Sequence, residues 1–147
     1  YGELSDWKEH FDYLLQAFQD ERYIRIDDKP LFIIYRTGHI PDCDQMLNYW
    51  NILAQENGLK GIYFVETLNS FPLPNINGFD DSIQFEPFYT IAHDRSSNIN
   101  KTIYEYGKQI NDWDYYKDWM YLLNRSPQQK KTYPYAFIDW DNTATRM

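Results

Sequence analysis

Four stretches of this sequence place acids, amides, aromatics or an arginine at the end of a short apolar run. Tyr35-Arg36 close Leu31-Phe32-Ile33-Ile34, and Glu66-Thr67 close Ile62-Tyr63-Phe64-Val65. Glu86 closes Ser82-Ile83-Gln84-Phe85, and Asp139-Trp140-Asp141-Asn142 close Ala136-Phe137-Ile138. These residue types suit a polyol. Carboxylates and amides hold hydroxyls, aromatic faces stack on sugar rings, and two carboxylates can divide the acid and base or nucleophile roles of glycosidic chemistry. Strands must also end in something polar, and Asp and Asn cap turns and helices, so any one of these residues alone has a plain structural use. As a group they point to a shared site, because parallel α/β architectures bind ligands beyond the carboxyl ends of their strands.

Other chemistries find little support. Gly58-Leu59-Lys60-Gly61 lacks the glycine spacing and the Lys-Ser/Thr ending of a phosphate loop. His10, His39 and His93 are scattered, and His93-Asp94 has no partner at metal-ligand spacing. There is no Gly-x-Ser-x-Gly elbow. Asp112-Trp113-Asp114 and Asp139-Trp140-Asp141 have the Asp-x-Asp form of a donor-metal motif, but the first is expected to open a helix. Cys43 sits at an expected helix start with acids on either side and no base in the sequence nearby, which fits a packing role. Asn100-Lys101-Thr102 and Asn124-Arg125-Ser126 match the glycosylation acceptor pattern, meaningful only in a eukaryotic secretory pathway.

The elements that would position the polar strand ends follow from periodicity. Trp7, Phe11, Leu14, Leu15 and Phe18 predict an amphipathic helix from Asp6 to Asp20, with Asp6 and Glu9 at capping-box spacing. Asp27-Asp28-Lys29-Pro30 predict a turn, and Leu31 to Tyr35 reads as a buried parallel strand. Met46, Leu47, Trp50, Leu53 and Ala54 predict a second helix from Asp42 to Asn57, stopped by Gly58. Strands are expected at Gly61–Glu66 and Ser82–Glu86, separated by a Pro/Asn/Gly-rich loop. An aromatic helical region is expected from Ile103 to Leu123, interrupted near Gly107 or Asn111-Asp112, before a last strand over Tyr133–Trp140. This alternation predicts an α/β fold with a parallel sheet. An open sheet and a piece of a (β/α)8 barrel both fit. A complete barrel takes about 250 residues, so this chain could supply only about half of one.

At 147 residues the chain has the size of one domain, and 43% hydrophobic with 24% charged residues is a globular composition. Its net charge of -8 argues against nucleic acid, and Lys130-Lys131 is too short a basic run to change that. No apolar run is long enough to cross a membrane. A single cysteine excludes an intrachain disulfide. Aromatics reach 19%, which fits an aromatic core more readily than sugar stacking, though both use such faces. Because the first residue is Tyr1, the natural start is expected to be missing, which is compatible with a removed signal peptide.

Several of these stretches resemble the WbsX-type family, associated with bacterial lipopolysaccharide and capsule synthesis and similar in fold to glycoside hydrolase family 99. "HFDYLLQAFQDERYIRIDDKPLFIIYR", "MLNYWNILAQENGLKGIYFVE" and "FDDSIQFEPFYT" resemble successive family segments, and "DWDNTATRM" is similar to its Trp-Asp-Asn-Thr-x-Arg signature. Asp28 departs from a common glycine, Asp139 from a common serine, and Thr145 from the usual signature context. The resemblance implies one segment, residues 1–147, of a TIM-type barrel truncated at both ends. It implies a carbohydrate-active parent enzyme, glycosidase-like or a glycosyltransferase, while the isolated segment would be inactive or only bind glycan. Its implied partner is an oligo- or polysaccharide, with no cofactor and no metal, and bacterial cytoplasm is the expected compartment. Tyr35, Arg36, Trp140, Asp141, Asn142 and Arg146 are the expected substrate contacts. The family's acid/base glutamates would lie beyond Met147 in a Trp-Asn-Glu-Trp-x-Glu-Gly type run, leaving Glu66 and Glu86 as this chain's own carboxylate candidates. A half-barrel would also expose sheet edges, so the isolated segment is expected to self-associate.

Overall fold

A computed structural model describes residues 2–69, 76–86, 89, 99–105, 108–113, 120 and 132–133. The first helix, α1, runs over Leu4–Gln19 and begins earlier than its apolar periodicity suggests. Asp6 is not the cap residue but the third helical residue. Its carboxylate reaches back to accept from the backbone N–H groups of Gly2 and Glu3, at 3.2 and 3.4 Å. That satisfies orphan donors and puts negative charge at the positive end of the helix dipole. Trp7, Phe11 and Phe18 form its buried stripe.

Strands β1 (Arg25–Ile26) and β2 (Lys29–Ile34) form an antiparallel hairpin with Ile26 opposite Lys29. Asp27 and Asp28 supply the two positive φ angles, 52° and 64°, that such a two-residue turn requires. Asp is one of the few non-glycine residues that visits this region readily. The Asp28 carboxylate pairs with Lys60 at 2.6 Å, and this ammonium holds its carboxyl below the usual carboxylate range. The pair is largely solvated, so its contribution to stability is small.

Helix α2 (Cys43–Glu56) connects β2 to β3 (Tyr63–Leu68), and the two strands pair in parallel from Leu31↔Tyr63 to Ile34↔Glu66. The helix stops as its sequence predicts. Gly58 takes φ 83°, its N–H donates to the Gln55 carbonyl, and the Leu59 N–H donates to Ala54, which together make a Schellman closure. Trp50, fully buried, is the centre of the core. Its ring meets Phe32 at 5.4 Å, Phe11 at 6.1 Å and the edge of His10 at 5.2 Å, and its Nε1–H donates to the Trp7 carbonyl.

Two glycines beyond α2 behave differently. At Gly61, φ is 115° and an added Cβ would lie 2.8 Å from Asn51 Oδ1, the atom that accepts the Ile62 N–H. At Gly58 nothing lies within 4 Å. Gly61→Ala should therefore cost roughly 2–3 kcal/mol, strain plus a disturbed buried hydrogen bond, against about 1 kcal/mol for Gly58→Ala. Paired urea unfolding curves check the order, and equal shifts would contradict it.

The main sheet has five strands in the order β1-β2-β3-β4-β7, where β4 is Asp81–Gln84 and β7 is Thr132–Tyr133. It is mixed, since β1 runs antiparallel, whereas the sequence suggests a purely parallel sheet. Nor is β2 buried on both faces. Ile33 is 47% exposed, while Phe32 and Ile34 belong to the core packed against the helices.

The larger correction concerns residues 103–113; of the rest of the expected helical region, 114–119 and 121–123 lie outside the described residues. Ile99–Glu105 (β5) and Lys108–Trp113 (β6) form a separate two-stranded antiparallel sheet where a helix was expected. Asp112-Trp113 thus end a strand and do not open a helix. Ile, Thr, Tyr and Trp are strand-forming residues here, and Asn and Asp are weak helix formers. The chain divides into two compact units, residues 1–67 with 71–83, and residues 68–70 with 84–147.

Candidate functional site

In the first unit the carboxyl ends of β2 and β3 lie side by side, because Ile34 stands opposite Glu66. Tyr35 and Arg36 leave β2 there. The Arg36 guanidinium carbon sits 5.2 Å from the Tyr35 ring centroid, a cation–π arrangement, and Tyr35 is 43% exposed. An accessible aromatic face with a guanidinium above it can stack on a sugar ring and donate to its hydroxyls.

Glu66 is placed otherwise. Strand β3 continues to Leu68, so Glu66 is an interior strand residue and not its last. It alternates with Phe64 and lies opposite Ile34, both members of the core packed against the helices. It therefore shares the helix-facing side of the sheet. The nearby Cys43 records this position. Burial pushes its thiol up to about 11, and the carboxylates of Asp44 and Glu66 add to the rise. A thiol in that state is neutral at physiological pH, as a packing role requires. Cys43 should resist iodoacetamide at pH 8 in the folded protein and react on unfolding, which a mass-spectrometric time course reads directly. Rapid labelling of folded protein would contradict that assignment.

The other face of β3 carries a feature that sequence patterning missed. The Tyr63 hydroxyl donates to the Asp81 carboxylate, with both residues buried. Asp80 binds the same strand through its backbone and side chain, since its N–H donates to the Phe64 carbonyl and its Oδ2 accepts from the Phe64 N–H. The sequence reads Asp80-Asp81 as the end of a loop, whereas these acids tie β4 to β3 at its start. A Tyr at the first position of β3 was the only available signal.

In the second unit, Glu86 follows β4 and is 2% exposed, and Asn69 and Gln84 are buried as well. The Phe85 N–H donates to the Leu68 carbonyl at 2.7 Å, which sets the two polar strand ends abreast. Asn69 and Gln84 were absent from the expected site because one was read within a loop and the other within a strand. Burying such groups is costly unless they are satisfied. The expected contacts Trp140, Asp141, Asn142 and Arg146, and the strand body from Ala136 onward, lie outside the described residues. Among the described residues, no group of three or more His, Cys, Asp or Glu could hold a metal ion, and no helix is long and apolar enough to cross a membrane.

Comparison with known proteins extends these observations. A family model described as Glycosyltransferase WbsX matches residues 1–147. Proteins named "Uncharacterized protein WxcX" in Xanthomonas campestris pv. campestris, strains B100 and ATCC 33913, are each 23% identical over 137 residues, which is 91% of this chain. The chain spans 19% of the length of those curated relatives. No solved structure matches it.

Proposed function

Because this chain belongs to the WbsX glycosyltransferase family, we propose that the protein carrying it is a carbohydrate-active enzyme of bacterial cell-surface polysaccharide. The match of the family model to residues 1–147 carries this reading. The Tyr35–Arg36 pair at the carboxyl end of β2 supports it, as a platform suited to a sugar ring. We take β2-α2-β3, a parallel pair joined through a helix, as one βα repeat of a (β/α)8 barrel of which this chain supplies about half. Trp140 then lines or stacks on the sugar, and Asp141, Asn142 and Arg146 bind hydroxyls.

The proposed chemistry is glycosidic. A protonated carboxyl group gives its proton to the leaving oxygen while a second carboxylate stabilises the developing oxocarbenium ion or attacks it. We assign both roles to carboxylates of the whole protein outside this chain; of the local candidates, Glu66 shares the helix-facing side of the sheet and Glu86 is buried.

The family description favours a second reading, glycosyl transfer. Whole protein incubated with O-antigen or capsular polysaccharide, with and without nucleotide-sugar donors, separates the two. Shortened chains with new reducing ends in the absence of donor support hydrolysis. Extension that depends on donor replaces hydrolysis with transfer, and no change under either condition contradicts the enzymatic reading.

A further inference from the structure

The short turn that follows β2 contains one polar group for which the fold has no use. Thr37 opens a 3-10 turn, Thr37–His39, directly after Arg36 and two residues beyond Tyr35. It is 1% exposed, and its Oγ1 has no hydrogen-bond partner. The turn does not call on this hydroxyl. It closes through two backbone bonds, from the His39 N–H to the Arg36 carbonyl and from the Ile40 N–H to the Thr37 carbonyl, each 3.1 Å. No side-chain bond caps its start. Valine has the same β-branched shape and would pack as well. A hydroxyl buried without a partner weakens the fold, and in a native protein such a group calls for an explanation other than packing.

Trp7 Nε1 and Gln84 Oε1 share this condition, but Trp7 belongs to the buried stripe of α1 and Gln84 to the second unit. Thr37 instead follows the Tyr35–Arg36 pair in the first unit, beyond the carboxyl end of a parallel strand, where parallel α/β folds bind their ligands. Its chemistry complements that pair. An aromatic face stacks and a guanidinium only donates, whereas a Thr hydroxyl both donates and accepts, as a sugar hydroxyl does. Arg36, Gly38 and His39 are exposed around it, and a turn this short, with the weaker bond geometry of a 3-10 helix, opens at small cost. We propose that Thr37 is a further sugar-binding residue of this site, whose Oγ1 bonds a hydroxyl of the ring stacked on Tyr35 as the turn opens to admit it. This contact rests on the carbohydrate reading above and adds to it a residue whose removal separates binding from stability.

The test compares Thr37→Val and Thr37→Ser with wild type in the whole protein, by thermal melting and by biolayer interferometry on immobilised bacterial O-antigen and capsular polysaccharides. Thr37→Val keeps the shape and removes the hydroxyl. Its melting temperature equals or exceeds that of wild type, because no bond is lost in the free protein, while Kd rises about 3- to 10-fold, the scale of one neutral hydrogen bond. Thr37→Ser keeps the hydroxyl and binds about as tightly as wild type. A Thr37→Val protein that melts several degrees lower overturns the proposal, by making the hydroxyl part of the fold. Thr37→Ser binding as weakly as Thr37→Val overturns it too. Polysaccharide binding that is equal in wild type and Thr37→Val refutes this contact alone. Failure of the wild type to bind any polysaccharide refutes the carbohydrate reading itself, and the contact with it.

Discussion

Trp50→Ala is expected to destabilise the first unit by about 3–5 kcal/mol, the range for deleting a fully buried large aromatic. Most of that cost is packing. The indole lies between α1 and β2, against Phe11 and Phe32, so its removal strips contacts from both. The lost hydrogen bond matters less. The Trp7 carbonyl that accepts from Trp50 Nε1 lies within α1, where a helical N–H can also serve it. Trp50→Phe should therefore retain well over half of the stabilisation. Urea unfolding of both variants decides this. An alanine variant within about 1 kcal/mol of wild type would mean that α1 and α2 are not held through this residue.

The second large effect concerns catalysis. Asp141→Ala in the whole protein is expected to lower kcat/KM on its polysaccharide by about 10- to 100-fold, the equivalent of one charge-assisted hydrogen bond of ~1.5–3 kcal/mol. Its melting temperature should stay within a degree or two, because the proposed partner of this carboxylate is a sugar hydroxyl and not the fold. Asp141→Asn, which keeps an acceptor, should recover part of the rate. Unchanged kinetics would remove Asp141 from the site. A collapsed melting temperature would make it a structural acid of the kind Asp81 is, with its bond from Tyr63.

What was legible in the sequence was whatever local chemistry determines. The apolar spacing of Trp7, Phe11 and Phe18, the stop at Gly58 and the Asp27-Asp28 turn each depend on residues within a few positions of one another, and each stands in the structure. The start of α1 was less legible, because Asp6 caps by reaching backward and its spacing to Glu9 imitates a later start. The β5–β6 ribbon was missed because Ile103, Tyr106, Ile110 and Trp113 recur at i, i+3, i+7 and i+10, a helical period. Tyr106-Gly107 was the better signal, since a two-residue connection with glycine between alternating segments favours a hairpin. Among the strand ends, Tyr35 and Arg36 follow β2 as its apolar run suggests, whereas β3 runs two residues past Glu66. Shifting a strand boundary by two residues is enough to turn a rim residue into an interior one.

The most direct test of the central claim is to apply the whole protein to an array of bacterial O-antigens and capsular polysaccharides, with nucleic acids and proteins as controls. The account predicts binding to one or more polysaccharides, weakened by Asp141→Ala in a variant that melts like the wild type. Binding to no polysaccharide, or equal binding by wild type and Asp141→Ala, would contradict it.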